Sequence, residues 1–306
     1  MRRIVSGIGK ALVTAGLLIL LFVGYQLWGT GVYTARAQDQ AERDFTTALD
    51  AVRVTPTSFP GVTSPTNAPT PSTTLPAPAP PSTAERDVVA HLVIPKIGVD
   101  AYVMQGTDDS ALRKGPGHYP ATPLPGQRGN AAIAGHRTTY GAPFSDLDAL
   151  QVGDTMQVTT LQGSFEYRVY DSLVVAPDQA QVLDPDPTRP ATITLTTCNP
   201  KYSASQRLVV KGALVIPEGA QPLASTVDPA DPVVKDALDQ DPLSGNSGST
   251  TPVVIAGVVL ALIGSAWWFA FHRRPRWTTW FIGVVPFAIA LSVFYYFLER
   301  ALPANY

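Results

Sequence analysis

A single cysteine in 306 residues removes an intramolecular disulfide from the means of holding this chain together. The four histidines are scattered singly and no cysteine has a partner, so no ligand set has zinc-site spacing; neither a metal nor any other cofactor is expected. Charge is scarce as well. The 22 Lys plus Arg oppose 24 Asp plus Glu, which leaves no broad basic surface to neutralise phosphates and excludes nucleic acid as a partner. Neither a Gly-x-Ser-x-Gly elbow nor a Walker-type phosphate loop occurs. What the chain does have is 29 prolines and three long apolar runs.

The first run, Ala11–Trp28, follows Met1-Arg2-Arg3 and Lys10 and approaches the roughly 20 residues a spanning helix needs. Residues 1–30 therefore read as a cytoplasmic start and an N-terminal anchor. Ala35-Arg36-Ala37 resembles a signal-peptidase site, but it lies well beyond a run already longer than a secretory core of about 7–15 residues. A retained anchor is expected. The other two runs, Pro252–Phe271 and Trp277–Leu298, flank His272-Arg273-Arg274-Pro275-Arg276 and read as a transmembrane helical hairpin over 252–298, with 299–306 as a tail. Positive charge belongs on the cytoplasmic side of each turn, so the chain between first and second runs should lie outside. The expected location is the cell membrane, multi-pass, with the middle of the chain extracellular.

Residues 31–87 read as a Pro/Thr/Ala-rich linker, nearly uncharged over Thr55–Thr83 and unable to bury enough apolar surface to offset its ordering entropy. Residues 219–251 read as a second linker, acidic at Asp228, Asp231, Asp236, Asp239 and Asp241 and ending in Ser-Gly-Asn-Ser-Gly-Ser-Thr. Between them, 88–218 has the size of one domain. Its patterned runs are short and β-like: Ala90–Ile94, Ala101–Met104, Asn130–Gly135, Thr155–Thr160, Ser164–Ser172, Thr192–Thr197 and Leu208–Ile216. Only Ser145–Leu150 suggests a helical turn. The fold class is all-β, a sandwich or a closed barrel.

Cys198 ends the β-branched run Thr192–Thr197, and Arg207 opens the strand Leu208-Val209-Val210 after a short loop. If the two strands pair as an antiparallel hairpin, Cys and Arg meet at the loop mouth. A guanidinium there favours thiolate and can stabilise an oxyanion. His136 follows Asn130–Gly135 where a strand gives way to a loop, a position suited to delivering and taking a proton. His91, His118 and His272 read as structural or surface residues, His118 being the nearest of them to a cleft.

These residues resemble the sortase family. Thr194-Leu195-Thr196-Thr197-Cys198, Arg207 nine positions on, Leu92-Val93-Ile94-Pro95-Lys96-Ile97-Gly98-Val99, Leu124-Pro125-Gly126 and Ala134-Gly135-His136-Arg137 follow in that family's order. The resemblance implies an eight-stranded β-barrel, here with one N-terminal and two C-terminal transmembrane helices. It also implies a transpeptidase that cleaves a C-terminal sorting signal between Thr and Gly, holds the acyl group as a Cys198 thioester and passes it to an amine. Cys198, His136 and Arg207 take the catalytic positions; Tyr140, Thr196 and Thr197 take substrate-binding ones. The implied partners are secreted proteins bearing the signal and a lipid-linked peptidoglycan precursor as acceptor. His136–Phe144 and Cys198–Tyr202 look most like class E, with a Leu-Ala-x-Thr-Gly preference over Leu-Pro-x-Thr-Gly. Class C, the pilus polymerases, is the nearest alternative, although no Asp-Pro-aromatic lid motif precedes Val88. The wall transpeptidases of L,D type place His and Cys close together in sequence, unlike this chain. A catalytically inactive envelope scaffold is the remaining alternative. The C-terminal pair of apolar segments departs from the family's usual plan.

Overall fold

The computed structural model describes residues 16–18, 20–24, 30–54, 88–228, 231–239, 243, 250–273 and 277–301. They fall into two compact units, one within Tyr25–Ser244 and the other within Met1–Gly24 plus Gly245–Ala304.

The first unit is a closed barrel of eight strands: β1 (Val88–Ile94), β2 (Val99–Gln105), β3 (Gly117–His118), β4 (Gly129–Ala134), β5 (Thr155–Thr160), β6 (Gly163–Val175), β7 (Ala191–Asn199) and β8 (Gln206–Leu214). Their order around the barrel is β1-β2-β3-β4-β7-β8-β6-β5, closing on β1, with β3 joining β2 and β4 over only two residues each. The β2–β3 and β4–β7 pairs are parallel; the rest are antiparallel. Seven strands lie where period-2 patterning puts them, and Leu147–Ala149 is the expected helical turn, a 3-10 one. The eighth, β3, is two residues long and carries no pattern to read. Alternating residues of all the longer strands, among them Leu92, Ile94, Val103, Ile133, Met156, Val158, Tyr167, Ile193, Leu195 and Val210, point inward and fill the core.

The structure corrects both linker assignments. Residues expected to begin an extended linker form α1 (Thr30–Val54), a 25-residue helix lying on the barrel beside β1 and β2. Its inner stripe is Thr30, Thr34, Gln38, Ala41, Phe45 and Ala48, spaced for a helix face but half polar, which hides it from a hydrophobic pattern. Ala41 and Phe45 pack with Val88, Met104 and Ala111, the last on the single turn α2 (Asp109–Leu112). The Gln38 side chain spans two strand neighbours: its Nε2 donates to the Tyr102 and Lys114 carbonyls at 3.0 and 2.9 Å, while its Oε1 accepts from the Tyr102 N–H at 2.7 Å. Ala35-Arg36-Ala37 therefore sits within a helix. Residues 55–87, including Thr55–Thr83, lie outside the described residues.

The C-terminal segment 219–251 is likewise no simple tether. Leu223 bridges to Gln127, whose Oε1 also accepts from the N–H and hydroxyl of Thr226 at 3.1 and 2.9 Å. α3 (Pro232–Asp239) follows. Val234 and Leu238, one helical turn apart, border an apolar cavity of about 190 Å³ with Leu183 and Pro185. Five acidic residues conceal this short i,i+4 pair in the sequence.

In the second unit, residues 16–18 and 20–24 are helical; the rest of the expected anchor Ala11–Trp28 lies outside the described residues. α4 (Thr251–Arg273) and α5 (Trp277–Ala301) cover the two closing apolar runs, and 274–276, within the arginine-rich connection, lie outside the description. Among the described residues one stretch, Thr251–Phe271, is long and apolar enough to cross a membrane; Ile282–Leu298 is a shorter apolar stretch. The Tyr295 hydroxyl donates to the Leu18 carbonyl at 2.6 Å and its ring meets Phe22, so α5 packs against the N-terminal helical residues.

Candidate active site

Three neighbouring strands bring the sequence-selected residues together. β7 and β8 form the anticipated hairpin, in which Cys198 pairs directly with Arg207. β7 runs one residue past the cysteine, so Cys198 stands inside a hydrogen-bonded ladder and not on a free loop. On its other side β7 runs parallel to β4 with Ala134 opposite Thr196. The alignment continues beyond the strand end, because the Gly135 N–H donates to the Thr196 carbonyl at 3.0 Å and the Thr197 hydroxyl to the Gly135 carbonyl at 2.7 Å. Two residues on from Ala134 comes His136 and two on from Thr196 comes Cys198, so the parallel register carries both toward the same end of the barrel. Since Ile193, Leu195, Leu208 and Val210 face the core, alternation turns Cys198 and Arg207 outward together.

Gly135 has a steric reason to be glycine. A Cβ there would come within 2.6 Å of the Phe144 ring, which is fully buried beneath the His136 loop. The Phe144 N–H donates to the His136 carbonyl at 3.1 Å and closes that loop. Within it, Thr139 Oγ1 lies 3.4 Å from His136 Nδ1 and the Tyr140 ring lies 5.0 Å from the imidazole. Tyr140 adopts φ 52°, a left-handed conformation that costs a bulky residue of order 1–3 kcal/mol and persists only where its surroundings hold it. Those surroundings include α1, whose Thr30 Oγ1 accepts from the Tyr140 N–H at 3.3 Å, and the Arg113 guanidinium, 5.3 Å from the ring centroid. The Tyr140 hydroxyl is buried and has no hydrogen-bond partner among the described residues.

Cys198, His136 and Arg207 are each at most 3% exposed. Burial pushes the Cys198 thiol up, with the Arg207 and then the Arg137 guanidinium working against it. Arg207 is held through Nε to the Leu243 carbonyl at 2.9 Å and through Nη1 to the carbonyls of Ala204 and Gln206 at 3.0 and 3.1 Å. Leu243, itself fully buried, thus lies over the arginine from the segment read as a linker.

The other selected residues are placed differently. The Thr196 hydroxyl meets the Tyr119 hydroxyl at 3.1 Å and the Thr197 hydroxyl is spent on Gly135, so both threonines are built into the scaffold around Cys198. His118 is buried in β3, its Nδ1 3.0 Å from Gln105 Oε1 and its Nε2 3.0 Å from the Pro123 carbonyl. His91 stacks on Tyr102 and meets Asp100. The side chain of His272 lies outside the description.

Sequence reasoning passed over two contributors. Arg137 was legible only as part of a motif, yet its guanidinium is buried against Cys198. α1 had no signal beyond the spacing of Thr30, Thr34 and Gln38.

The chain is similar to several known proteins. A family model described as the sortase domain matches residues 92–215. Sortase SrtE2 of Streptomyces coelicolor is 33% identical over 232 residues, which cover 69% of this chain and 82% of that protein. Sortase SrtE1 of the same organism is 32% identical over 223 residues, 68% of this chain; the chain spans only 56% of that relative's length. Among solved structures, sortase E from Streptomyces avermitilis is 37% identical, covering 42% of this chain and 88% of that one, with a TM-score of 0.38.

Proposed function

Because the chain belongs to the sortase family, we propose that it is a membrane-anchored cysteine transpeptidase, with Cys198 as nucleophile, His136 as general acid and base, and Arg207 as the oxyanion's partner. The observation that carries this reading is the register of three adjacent strands, which pairs Cys198 with Arg207 and sets Ala134, two residues before His136, opposite Thr196, two residues before Cys198.

In the first half-reaction the Cys198 thiolate attacks the carbonyl of the sorting signal's Thr–Gly bond. The negative charge that collects on the carbonyl oxygen is met by Arg207, with the Leu243 carbonyl giving way to it. Protonated His136 delivers its proton to the departing Gly nitrogen as the C–N bond breaks, leaving a thioester. In the second half-reaction neutral His136 takes a proton from an incoming amine, whose nitrogen displaces the thiolate and forms the new amide. An amine of a lipid-linked peptidoglycan precursor is the proposed acceptor.

The relatives named SrtE1 and SrtE2 favour the class E reading, and with it a Leu-Ala-x-Thr-Gly signal. Membrane anchoring is supported by the apolar helix Thr251–Phe271, by the shorter stretch Ile282–Leu298 and by the basic residues that bracket the apolar runs. These charges favour an outside location for the barrel. The test of function is incubation of the detergent-solubilised chain with a Leu-Ala-x-Thr-Gly peptide and an amine. Cleavage between Thr and Gly, with an acyl mass adduct that is absent in Cys198→Ala, is the expected result; no adduct, or cleavage surviving that substitution, defeats the assignment.

A further inference from the structure

Arg137 follows the proposed general acid in sequence, yet its contacts all lead to the nucleophile's strand and its support. Its Nη1 donates to the Cys198 carbonyl at 3.1 Å and to Asn199 Oδ1 at 2.7 Å, and its Nη2 pairs with Asp148 Oδ2 at 2.9 Å. The guanidinium is 4% exposed while Asp148 is half exposed, so the charge is buried on the Cys198 side and neutralised from the solvent side. Its Nε is buried without a hydrogen-bond partner among the described residues. A cation placed in this way costs desolvation energy, and a neutral residue could hold the same strand end at less cost.

We infer that Arg137 is a positioning residue for the proposed reaction, one that clamps the end of β7 to the His136 loop and keeps a second buried positive charge against Cys198, on its carbonyl. This inference rests on the reading of Cys198 as nucleophile. The clamp works because consecutive residues, His136 and Arg137, leave the same stretch of chain. Whatever sets Arg137 on the Cys198 carbonyl also fixes where the imidazole starts. The charge works because burial otherwise favours the neutral thiol, and Arg137 adds to the larger opposing effect of Arg207. Among the described residues the charges that act on the thiol are Arg207 from β8 and Arg137 from the chain after β4; His136 precedes Arg137 on that chain, and Asp148, from the Leu147–Ala149 turn, pairs with Arg137. Farther out, Asp146 meets Lys201 at 2.9 Å.

The chain's one cysteine makes the test specific, because any thiol alkylation reports on Cys198 alone. Iodoacetamide alkylation of the full chain in detergent is followed against pH for wild type, Arg137→Gln and Arg137→Lys, alongside kcat for peptide cleavage. Gln keeps an amide able to donate to the Cys198 carbonyl but carries no charge; Lys keeps the charge but not the fork. The alkylation midpoint should move to higher pH in Arg137→Gln, slowing the reaction at pH 7 by roughly three- to tenfold, since one pKa unit is tenfold in thiolate. In Arg137→Lys the midpoint should match wild type while kcat falls by about tenfold or more, the sign of lost positioning. An Arg137→Gln midpoint equal to wild type, or equal shifts in both variants, overturns the inference. If Arg137→Gln does not fold, Arg137→Lys still decides: a displaced midpoint or an undiminished kcat overturns it. Alkylation requires no substrate, so these outcomes are separate from failure of the chain to cleave any sorting signal.

Discussion

Cys198 and Arg207 are direct cross-strand partners in the β7–β8 hairpin, so the sulfur and the guanidinium leave adjacent strands on the same face. No loop conformation has to be recruited to bring them together. Arg207 is in turn fixed through Nε and Nη1 to three backbone carbonyls, which orients the planar group before substrate arrives.

Replacing Arg207 by Ala should lower kcat/KM by at least about 10²-fold, the loss typical of removing one oxyanion donor. Arg207→Lys should recover little of it, because an ammonium cannot bond the Leu243, Ala204 and Gln206 carbonyls and still present a donor to substrate. Steady-state kinetics on the cleavage peptide decide this. A lysine variant close to wild type would remove Arg207 from the oxyanion role.

His118 makes stability depend on pH. Burial in β3 holds its imidazole neutral, lowering the pKa to about 4, below the unfolded value near 6.5. Between those values the unfolded chain binds more protons than the folded one, so stability rises with pH across that window. The contribution is complete above about pH 6.5, is lost progressively as pH falls, and levels off near pH 4, with a span of roughly 3 kcal/mol. Urea midpoints for wild type and His118→Gln should converge at low pH. A wild-type slope retained in the variant would assign the dependence to other groups.

The strands and the catalytic candidates were legible because each rests on a local signal: alternation in β5 and β7, a strand-end His, and a Cys and an Arg bracketing a turn. What escaped were elements whose contacts are polar or few. The inner stripe of α1 uses Thr30, Thr34 and Gln38 as hydrogen-bonding groups, so its helical period is invisible to hydrophobicity. β3 is too short to have a period. Leu243 is one buried residue in an acidic, Gly/Ser-rich stretch, and only its contact with Arg207 distinguishes it. Thr196 and Thr197 illustrate the reverse problem: residues next to a nucleophile in sequence are here bonded into the scaffold.

α1 should therefore be part of the working domain. A fragment beginning at Val88 loses the Gln38 bonds to Tyr102 and Lys114, the Phe45 packing and the Thr30 acceptor for the Tyr140 N–H. A fragment beginning at Thr30 keeps them. With both ending at Ser244, the shorter one should melt lower and cleave peptide at least about tenfold more slowly. In the longer one, Phe45→Ala alone should cost about 3 kcal/mol. Equal melting temperatures and rates would reduce α1 to a spacer.

Tyr140 offers a physical basis for choosing alanine over proline at the second position of the sorting signal. Its ring lies against His136, its buried hydroxyl has no hydrogen-bond partner among the described residues, and its backbone is held at φ 52° by the α1 contact, so a strained residue presents an unused polar atom at the proposed active site. An alanine in the signal keeps its amide N–H, which the phenol oxygen can accept; proline has none to donate. Leaving the phenol unpaired against the proline signal should cost about 1–3 kcal/mol, or some ten- to a hundredfold in kcat/KM. The measurement is kcat/KM for Leu-Ala-x-Thr-Gly and Leu-Pro-x-Thr-Gly peptides with wild type and Tyr140→Phe. The phenylalanine variant retains the ring against His136 and beneath Arg113 while removing the oxygen, so the imidazole should stay in place and the alanine preference should collapse. A preference unchanged in Tyr140→Phe would assign selectivity to other residues, and a wild-type preference for proline would count against the class E reading itself.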